Sequence, residues 1–384
     1  MACLLTGLVS NSALTAATLL TAPAGGVISA GIGHNLALKS DGTVWEWGGI
    51  SSIKSKLYAT QVSGLTGVVD ISASTLNLAL KNDGTVWEWG YEGNTNPATY
   101  IQIPAQVTGL TGVIAVSAGQ YYGLALKSDG TVWAWGQNPT GNLGTGTHLS
   151  STIPVQVPNL TNVIDIIAGS TGTPISLALK KDGTVWGWGA GPYGFGDPIV
   201  QNPLTPMPLA ALTNVLAVSR GGNHSLVLKN DGTTWAWGLN THGELGDGTT
   251  VSKITSITQV KGLAKPADIS AGDSFSLALN SDGTVWAWGV NTLCQLGYSS
   301  GPGISGTYYS SLPKLINGLS TVTQISAGSS LGLALKSDGT VWAWGGGWLF
   351  NGVNPIGNAL GNGTSNSSSV PVQVLIGPGT PLKL

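Results

Sequence analysis

Charge is scarce in this sequence: Asp, Glu, Lys and Arg make up 8% of its 384 residues, and Arg220 is its single arginine. The net charge of −2 leaves no basic tail or patch to replace counterions on phosphates, so we expect no nucleic-acid partner. Two cysteines, Cys3 and Cys294, are too few for a disulfide framework. The four histidines have no partner at ligand spacing, and we expect no metal, cofactor or catalytic site.

Residues 1–24 are apolar and end in small residues, but they lack the basic start of a secretory signal. Interruption by Ser, Thr and Asn also argues against a membrane span. This segment therefore has no predicted role. We expect a single domain over residues 25–378 and a short tail at 379–384. The low charge favours an extracellular location or the surface of a cell or virion.

One octet, Asp-Gly-Thr-x-Trp-x-Trp-Gly, recurs seven times along the chain. The copies begin at Asp41, Asp83, Asp129, Asp182, Asp231, Asp282 and Asp338. Successive copies are 42 to 56 residues apart, which is typical of propeller blades built from four short strands. Fourteen of the fifteen tryptophans belong to the octets: Trp45, Trp47, Trp87, Trp89, Trp133, Trp135, Trp186, Trp188, Trp235, Trp237, Trp286, Trp288, Trp342 and Trp344.

The octet is predicted to be a packing element. In the third copy, residues 131–135 read TVWAW, and alternation along a strand places both tryptophans on one face and Val and Ala on the other. Such a strand is apolar on both faces, so it must lie between neighbouring blades. The Asp-Gly before it suits a tight hairpin turn. Glu46 and Glu88 replace the Ala or Gly of the other copies, and we expect their carboxylates to reach solvent.

A longer pattern surrounds each octet, as in SRGGNHSLVLKNDGTTWAWGLNTHGELGDGT at residues 219–249. This pattern resembles the regulator of chromosome condensation repeat family, and the seven copies span almost the whole chain. The resemblance implies an all-β, seven-bladed β-propeller with four antiparallel strands per blade. It also implies that a C-terminal strand closes the ring. The chromatin-associated members carry basic tails that this sequence does not show, so we do not expect this chain to share their partners.

The loops that follow the octets differ strongly from one another. Val62 lies 14 positions after Gly48 in the first copy, and Val374 lies 29 positions after Gly345 in the seventh. All nine tyrosines are predicted to lie in these loops or in turns on the same face of the disc. Exposed aromatic rings among Ser, Gly and Asn are typical of recognition surfaces. The predicted partner-binding residues are Trp348, Phe350, Tyr308, Tyr309, Tyr298, Tyr193, Phe195 and Tyr121. His34 and His224, by contrast, are predicted to be interior.

These observations favour a non-enzymatic recognition scaffold that binds a protein or a glycan through the variable loop face. The alternative is a structural or decoration subunit of a surface or virion assembly, which would use the same face for self-assembly or partner assembly. A subunit of that kind should self-associate, whereas a recognition module need not.

Overall fold

The computed structural model describes residues 26–49, 56–92, 99–170, 174–191, 194–197, 202–298, 308–346 and 360–384, without the side chains of residues 91–92 and 99–100. Within these ranges the chain forms thirty β-strands and no helix. Twenty-eight of the strands make seven four-stranded antiparallel sheets, each from four consecutive strands. The chain is an all-β, seven-bladed propeller, which confirms the predicted fold.

The strands follow one another in the same order in every blade, from the inner strand to the outer one. Blade 1 comprises β1 (Val27–Ala30), β2 (His34–Leu38), β3 (Val44–Gly48) and β4 (Lys56–Gln61). Blade 2 comprises β5 (Val68–Ala73), β6 (Leu76–Lys81), β7 (Val86–Glu92) and β8 (Thr99–Val107). Blade 3 comprises β9 (Val113–Ala118), β10 (Tyr122–Lys127), β11 (Val132–Gly136) and β12 (Ser151–Gln156). Blade 4 comprises β13 (Val163–Ala168), β14 (Ser176–Lys180), β15 (Val185–Trp188) and β16 (Met207–Pro208).

The other three blades repeat this arrangement, and a small hairpin follows them. Blade 5 comprises β17 (Val215–Arg220), β18 (His224–Lys229), β19 (Thr234–Gly238) and β20 (Lys253–Gln259). Blade 6 comprises β21 (Pro266–Ala271), β22 (Phe275–Asn280), β23 (Val285–Val290) and β24 (Tyr309–Leu315). Blade 7 comprises β25 (Val322–Ala327), β26 (Leu331–Lys336), β27 (Val341–Gly345) and β28 (Ser368–Gln373). Strands β29 (Leu375–Gly377) and β30 (Thr380–Pro381) pair with each other.

Each invariant residue of the octet has a local structural role. The Asp carboxylate accepts hydrogen bonds from the Thr backbone N–H and hydroxyl, with a hydroxyl-to-carboxylate distance of 2.6 Å in all seven turns. The first Gly has a φ of +78° to +80°, in the left-handed region that favours glycine. The last Gly also has a positive φ, and in blade 5 a Cβ at Gly238 would lie 2.4 Å from the Asn223 carbonyl oxygen. The octet thus encodes a hairpin and a close backbone approach as well as packing.

The two tryptophans of an octet differ in their environments. The second one is at most 2% exposed in every blade, and it packs in the apolar cluster shared with the preceding blade. The first one is half-buried. In six blades a Lys amino group lies 4.3–5.4 Å from the centroid of the first ring, within range of a cation–π interaction. The second tryptophan therefore fills the space between the blades, and the first lies at its edge, where it remains partly exposed.

Seven apolar clusters, one at each junction between neighbouring blades, form the core of the ring. The cluster at the seam joins blade 7 to Trp47 of blade 1 and includes Val374 and the fully buried Leu382. The Leu384 backbone N–H donates to the Gly339 carbonyl, just as Val68 donates to Gly42 at the junction of blades 1 and 2. Strand β28 thus completes blade 7, and the residues after it occupy the place of an inter-blade crossover.

Candidate functional site

Antiparallel order divides the connections between the two faces of the disc. The Asp-Gly hairpins and the crossovers between blades lie on one face, which we call the turn face. The turns between inner and second strands and the long loops between third and outer strands lie on the other, which we call the loop face. Both predicted functions use the loop face, so the geometry of these long loops decides what the site can do.

The long loops of blades 3 and 5 share a compact segment, Asn138–Thr147 and Asn240–Thr249, which we call the latch. The side chain of its first Asn holds the loop from inside. Asn240 accepts a hydrogen bond from the Leu245 backbone N–H at 2.9 Å and donates to the carbonyls of Thr249 and Val251. Asn138 makes the matching bonds in blade 3. These connections give the latch one defined conformation.

The latch of one blade packs on the second tryptophan of the next. Leu143 contacts the cluster of Trp188, and the Trp188 indole N–H donates to the Asn142 carbonyl at 2.8 Å. Counterparts of Leu143 in blades 4 to 7 are Phe195, Leu245, Leu296 and Leu360, all at most 2% exposed. The prediction that Phe195 is an exposed binding residue is therefore wrong, because it is the latch residue of blade 4 and packs with Trp237.

The latch also hydrogen-bonds the outer strand of the next blade. A glycine N–H donates to a carbonyl in or just before the outer strand at each of four junctions: Gly146 to Leu204, Gly196 to Ile254, Gly248 to Ser311 and Gly363 to Leu57, at 2.9–3.1 Å. The last of these bonds crosses the seam from blade 7 to blade 1. The latches therefore connect neighbouring blades on the loop face. The last of them also joins the two ends of the repeat array.

Blades 1 and 2 lack the latch sequence, and their octets carry Glu46 and Glu88. The Glu88 carboxylate accepts a hydrogen bond from the Trp135 indole N–H at 2.9 Å, in place of the latch carbonyl used in blades 4, 6 and 7. Glu46 forms an ion pair with Lys56, with an Nζ-to-Oε2 distance of 2.7 Å. Both residues are half-buried, so each keeps some exposure, as expected, and its carboxylate is also bonded.

The predicted aromatic site is only partly within the described residues. Trp348, Phe350 and Tyr193 lie outside them. Tyr308 is 63% exposed, whereas Tyr121, Tyr298 and Tyr309 are half-buried. Five of the nine tyrosines lie in strands: Tyr58, Tyr91, Tyr100, Tyr122 and Tyr309. The prediction that tyrosines are confined to loops and turns is therefore wrong. Tyr122 is 1% exposed and its hydroxyl accepts the Gly169 N–H at 2.8 Å.

The junction of blades 5 and 6 brings Tyr308 and Tyr309 next to the latch of blade 5. The rings of Tyr309 and His242 meet edge to face, with centroids 6.0 Å apart. Glu244 lies beneath them with a side chain 1% exposed, and its carboxylate accepts the His242 backbone N–H at 2.8 Å. The Tyr308 carbonyl accepts the Asn291 N–H. The backbone beside this exposed aromatic surface is therefore held in place, as a preorganised binding site requires.

Six serines form a ring of hydrogen bonds around the central channel. Their hydroxyl oxygens accept backbone N–H groups of the next inner strand at 2.9–3.0 Å: Ser29, Ser72, Ser117, Ser219, Ser270 and Ser326. Blade 4 has Ile167 at this position, and blade 5 has Arg220 where the others have Ala. The Arg220 guanidinium is 5% exposed and donates to the Ser225 hydroxyl and the Gly222 carbonyl. One cationic side chain therefore lies in an otherwise small-residue wall.

The titratable groups near the channel are shifted by burial. Burial raises the pKa of Asp268 to about 8 and lowers the pKa of His224 to about 3, with the nearby Arg220 charge acting in the same direction on the histidine. His34 and His224 are at most 3% exposed and each bonds a side chain of the next blade, Asn77 and Ser276. Both are interior residues, as predicted.

The acidic latch of blade 5 is satisfied by the protein itself. Asp247 accepts hydrogen bonds from the backbone and hydroxyl of Thr249 and from the Thr258 hydroxyl. Across the described ranges, no group of three or more His, Cys, Asp or Glu residues is placed to hold a metal ion. In that same part of the chain no helix is long and apolar enough to span a membrane.

Fold and latches together define a propeller of linked repeats, and comparison with known proteins identifies its family. The family model described as RCC1-like domain matches residues 52–380, so the chain belongs to the RCC1-like domain family. It is 27% identical to the ultraviolet-B receptor UVR8 of Arabidopsis thaliana over 361 residues, which cover 87% of this chain and 79% of that protein. It is 29% identical to pim1 of Schizosaccharomyces pombe and 30% identical to human E3 ubiquitin-protein ligase HERC2. These two alignments cover 49% and 66% of this chain but only 38% and 4% of the relatives.

Solved structures show the same fold at low sequence identity. Yeast RCC1 (Prp20) in its complex with Kap60 matches 84% of this chain and 78% of that one, with a TM-score of 0.68 and 20% identity. Human WBSCR16 matches 90% of this chain and 81% of its own, with a TM-score of 0.64 and 21% identity. At these identities the likeness establishes the fold alone.

Proposed function

We propose that this chain is a non-enzymatic recognition scaffold that binds a protein through the loop face, with Tyr308 at the centre of one contact surface. The observation that carries the proposal is the exposure of Tyr308, 63%, next to a backbone held by the latch of blade 5. A large ring with few rotors on a rigid support gives contact area at low entropic cost. The yeast relative was crystallised with a bound protein, Kap60, which supports a protein as the ligand class.

The surface around Tyr308 is suited to a neutral partner segment. His242 and Tyr309 form an aromatic wall, and the Lys314 amino group lies 5.8 Å from the Tyr298 ring centroid. Leu312, 43% exposed, adds apolar area on the same outer strand. The low overall charge of the chain agrees with recognition by shape and aromatic contact. A location outside the cell or on a cell or virion surface is part of this proposal and rests on composition alone.

The test immobilises the wild type, Tyr308→Ala and Val251→Ala, and it compares the proteins that each of them captures. Val251→Ala is the control, because Val251 is an exposed residue of blade 5. We expect at least one protein to bind the wild type and the control, and to bind Tyr308→Ala about tenfold or more weakly, which is the loss typical of an interface hot spot. Equal capture by all three would exclude Tyr308 as a contact.

Two parallel measurements separate the alternatives. Light scattering of the purified chain tests self-assembly: a stable oligomer that Tyr308→Ala dissociates would favour the assembly subunit. A glycan array tests the other ligand class, and glycan binding that depends on Tyr308 without protein binding would replace protein by carbohydrate as the ligand.

A further inference from the structure

Three latches lie over the same position of the neighbouring outer strand. This position, which we call the seat, lies four residues before the buried apolar residue at the end of the outer segment, Leu209, Ile316 or Val62. Thr205, Leu312 and Tyr58 are the seats beneath Gly146, Gly248 and Gly363 of the preceding blades. A Cβ at Gly146 or Gly248 would lie 3.5 Å from the side chain of its seat. A methyl group on either glycine would therefore just contact its seat.

Blades 2 and 3 have seats, but the blades that precede them lack the latch sequence. Their seats are Ile103 and Ile153, counted back from the buried Val107 and Val157. The preceding blades supply residues 49–55 and 91–98, and neither stretch contains Leu-Gly-x-Gly-Thr. Ile103 is 72% exposed and Ile153 is 63% exposed, whereas Leu312 beneath a latch is 43% exposed. Two large apolar side chains thus stand uncovered at positions that a loop covers elsewhere in the ring.

We propose that the seats at Ile103 and Ile153 bind a partner segment with the chemistry of the chain's own latch: an uncharged, glycine-containing loop of another protein. The seats continue the row of positions that latches contact in other blades, and the sequence before each of them lacks the latch motif. The strand carbonyls that a latch bonds precede the seat by one residue, as Leu57 precedes Tyr58 and Ser311 precedes Leu312. Their counterparts here are the carbonyls of Gln102 and Thr152.

Proline residues decide how the partner segment approaches. Pro104 and Pro154 directly follow the two seats. Proline has no N–H to donate to a further strand, so the outer edges of blades 2 and 3 are poor sites for adding a fifth strand to the sheet. A latch-like segment needs no such donor, because it donates its own N–H to a strand carbonyl. The segment therefore crosses the strand as the internal latches do.

Glycine is required in the segment for two reasons. The latch glycines of blade 3, Gly144 and Gly146, have φ values of +72° and +83°, which side-chain-bearing residues rarely adopt. A Cβ at Gly144 would also lie 2.8 Å from the Trp188 indole nitrogen. A partner segment with alanine at these positions should therefore bind poorly, which provides a matched control.

The test uses the full chain labelled with ¹³C at the isoleucine δ1 methyl groups and the synthetic peptide GNLGTGTHLS, residues 141–150, which contains the Leu-Gly-x-Gly-Thr part of the blade 3 latch. We expect saturable methyl shifts at Ile103 and Ile153 with a Kd of about 1 mM or tighter. Ile254 and Ile376 are also exposed and should not shift. The same peptide with alanine at both latch glycines should bind at least tenfold more weakly.

Single variants separate the two seats. Ile103→Asp should abolish binding at the first seat and leave the shift of Ile153 intact, and Ile153→Asp should do the reverse. No saturable shift at either seat, equal binding of the alanine peptide, or equal shifts at Ile254 would overturn the proposal. This inference takes one point from the proposed function, namely that the partner is a protein. Its test does not involve Tyr308, so either can fail alone.

Discussion

Thr321 has a backbone conformation that a β-branched residue rarely adopts, and replacing it should stabilise the propeller. It lies in the crossover into blade 7 with a φ of +57°. The same crossover position is Gly67 or Gly112 in early blades and Asn162 or Asn214 in later ones, all with positive φ. A hydrogen bond holds the conformation, because the Ser337 backbone N–H donates to the Thr321 carbonyl at 2.9 Å.

The left-handed conformation costs a residue with a Cβ roughly 1–2 kcal/mol. The Thr321 side chain is exposed, so packing does little to offset that cost. Asn tolerates this region, so Thr321→Asn should raise the free energy of unfolding by about 1 kcal/mol. Thr321→Gly should gain less, because glycine also adds entropy to the unfolded chain.

Thermal unfolding followed by circular dichroism is the assay. The expected rise in Tm is small, roughly 1–2 °C for a domain of this size, so replicate scans at one protein concentration are needed. Thr323→Gly is the matched control: it is an exposed threonine two residues further on, in β25, and should lower the Tm. If Thr321→Asn lowers the Tm as much as the control does, the strain assignment is wrong.

Three further perturbations test the core, the channel and the seam. Trp288→Ala should lower the free energy of unfolding by about 3–5 kcal/mol in a denaturant titration. Trp286→Ala removes a half-buried ring and should cost clearly less. Equal costs would contradict the conclusion that the second tryptophan of an octet is the core residue. Burial raises the pKa of Asp268 to about 8, above about 3.9 in an unfolded chain, so stability should fall between pH 4 and 8 by up to about 1.4 kcal/mol per unit. Asp268→Asn should reduce that slope but not remove it, because burial also raises the pKa of Asp70 to about 7; an unchanged slope would refute the assignment to Asp268. Deleting Leu375–Leu384 removes the buried Leu382 and should lower and broaden the melting transition; an unchanged transition would show that these residues do not close the ring.

The blades could be predicted from sequence because their information is local. An octet holds its own turn, with Asp41 bonding Thr43 two residues away and the glycine between them in a left-handed conformation. Alternation of Val44, Trp45 and Trp47 along β3 then specifies two apolar faces. Repetition of the octet at blade-sized intervals leaves a closed ring as the arrangement that covers both faces of every sheet. The fold class therefore follows from short-range patterns.

The loop face was harder to predict because its contacts join residues about fifty positions apart. Phe195 is in a loop rich in glycine and two residues after a tyrosine, so its sequence context is that of a surface residue. Its burial depends on Trp237 in the next blade. Aligning the repeats with one another would have revealed it, since Phe195 falls at the position of Leu143 and Leu245. Exposure of a single loop residue cannot be inferred from its neighbours in sequence alone.

Departures from the repeat become interpretable when the neighbouring blade is considered at the same time. Inter-blade hydrogen bonds join a residue of one blade to a residue of the next. Loss of one partner leaves the buried polar group on the other side unsatisfied, which costs about 1–3 kcal/mol. Glu88 meets this requirement by accepting the Trp135 indole N–H where the latch carbonyl is missing. Blade 4 has Ile167 where other blades have the serine whose hydroxyl accepts an N–H of the next blade. In blade 5 the residue that carries this N–H is Arg220, where the other blades have alanine. Paired departures of this kind mark the junctions where the ring differs from its own consensus, and they are where a function specific to this chain would be expected rather than in the invariant octets.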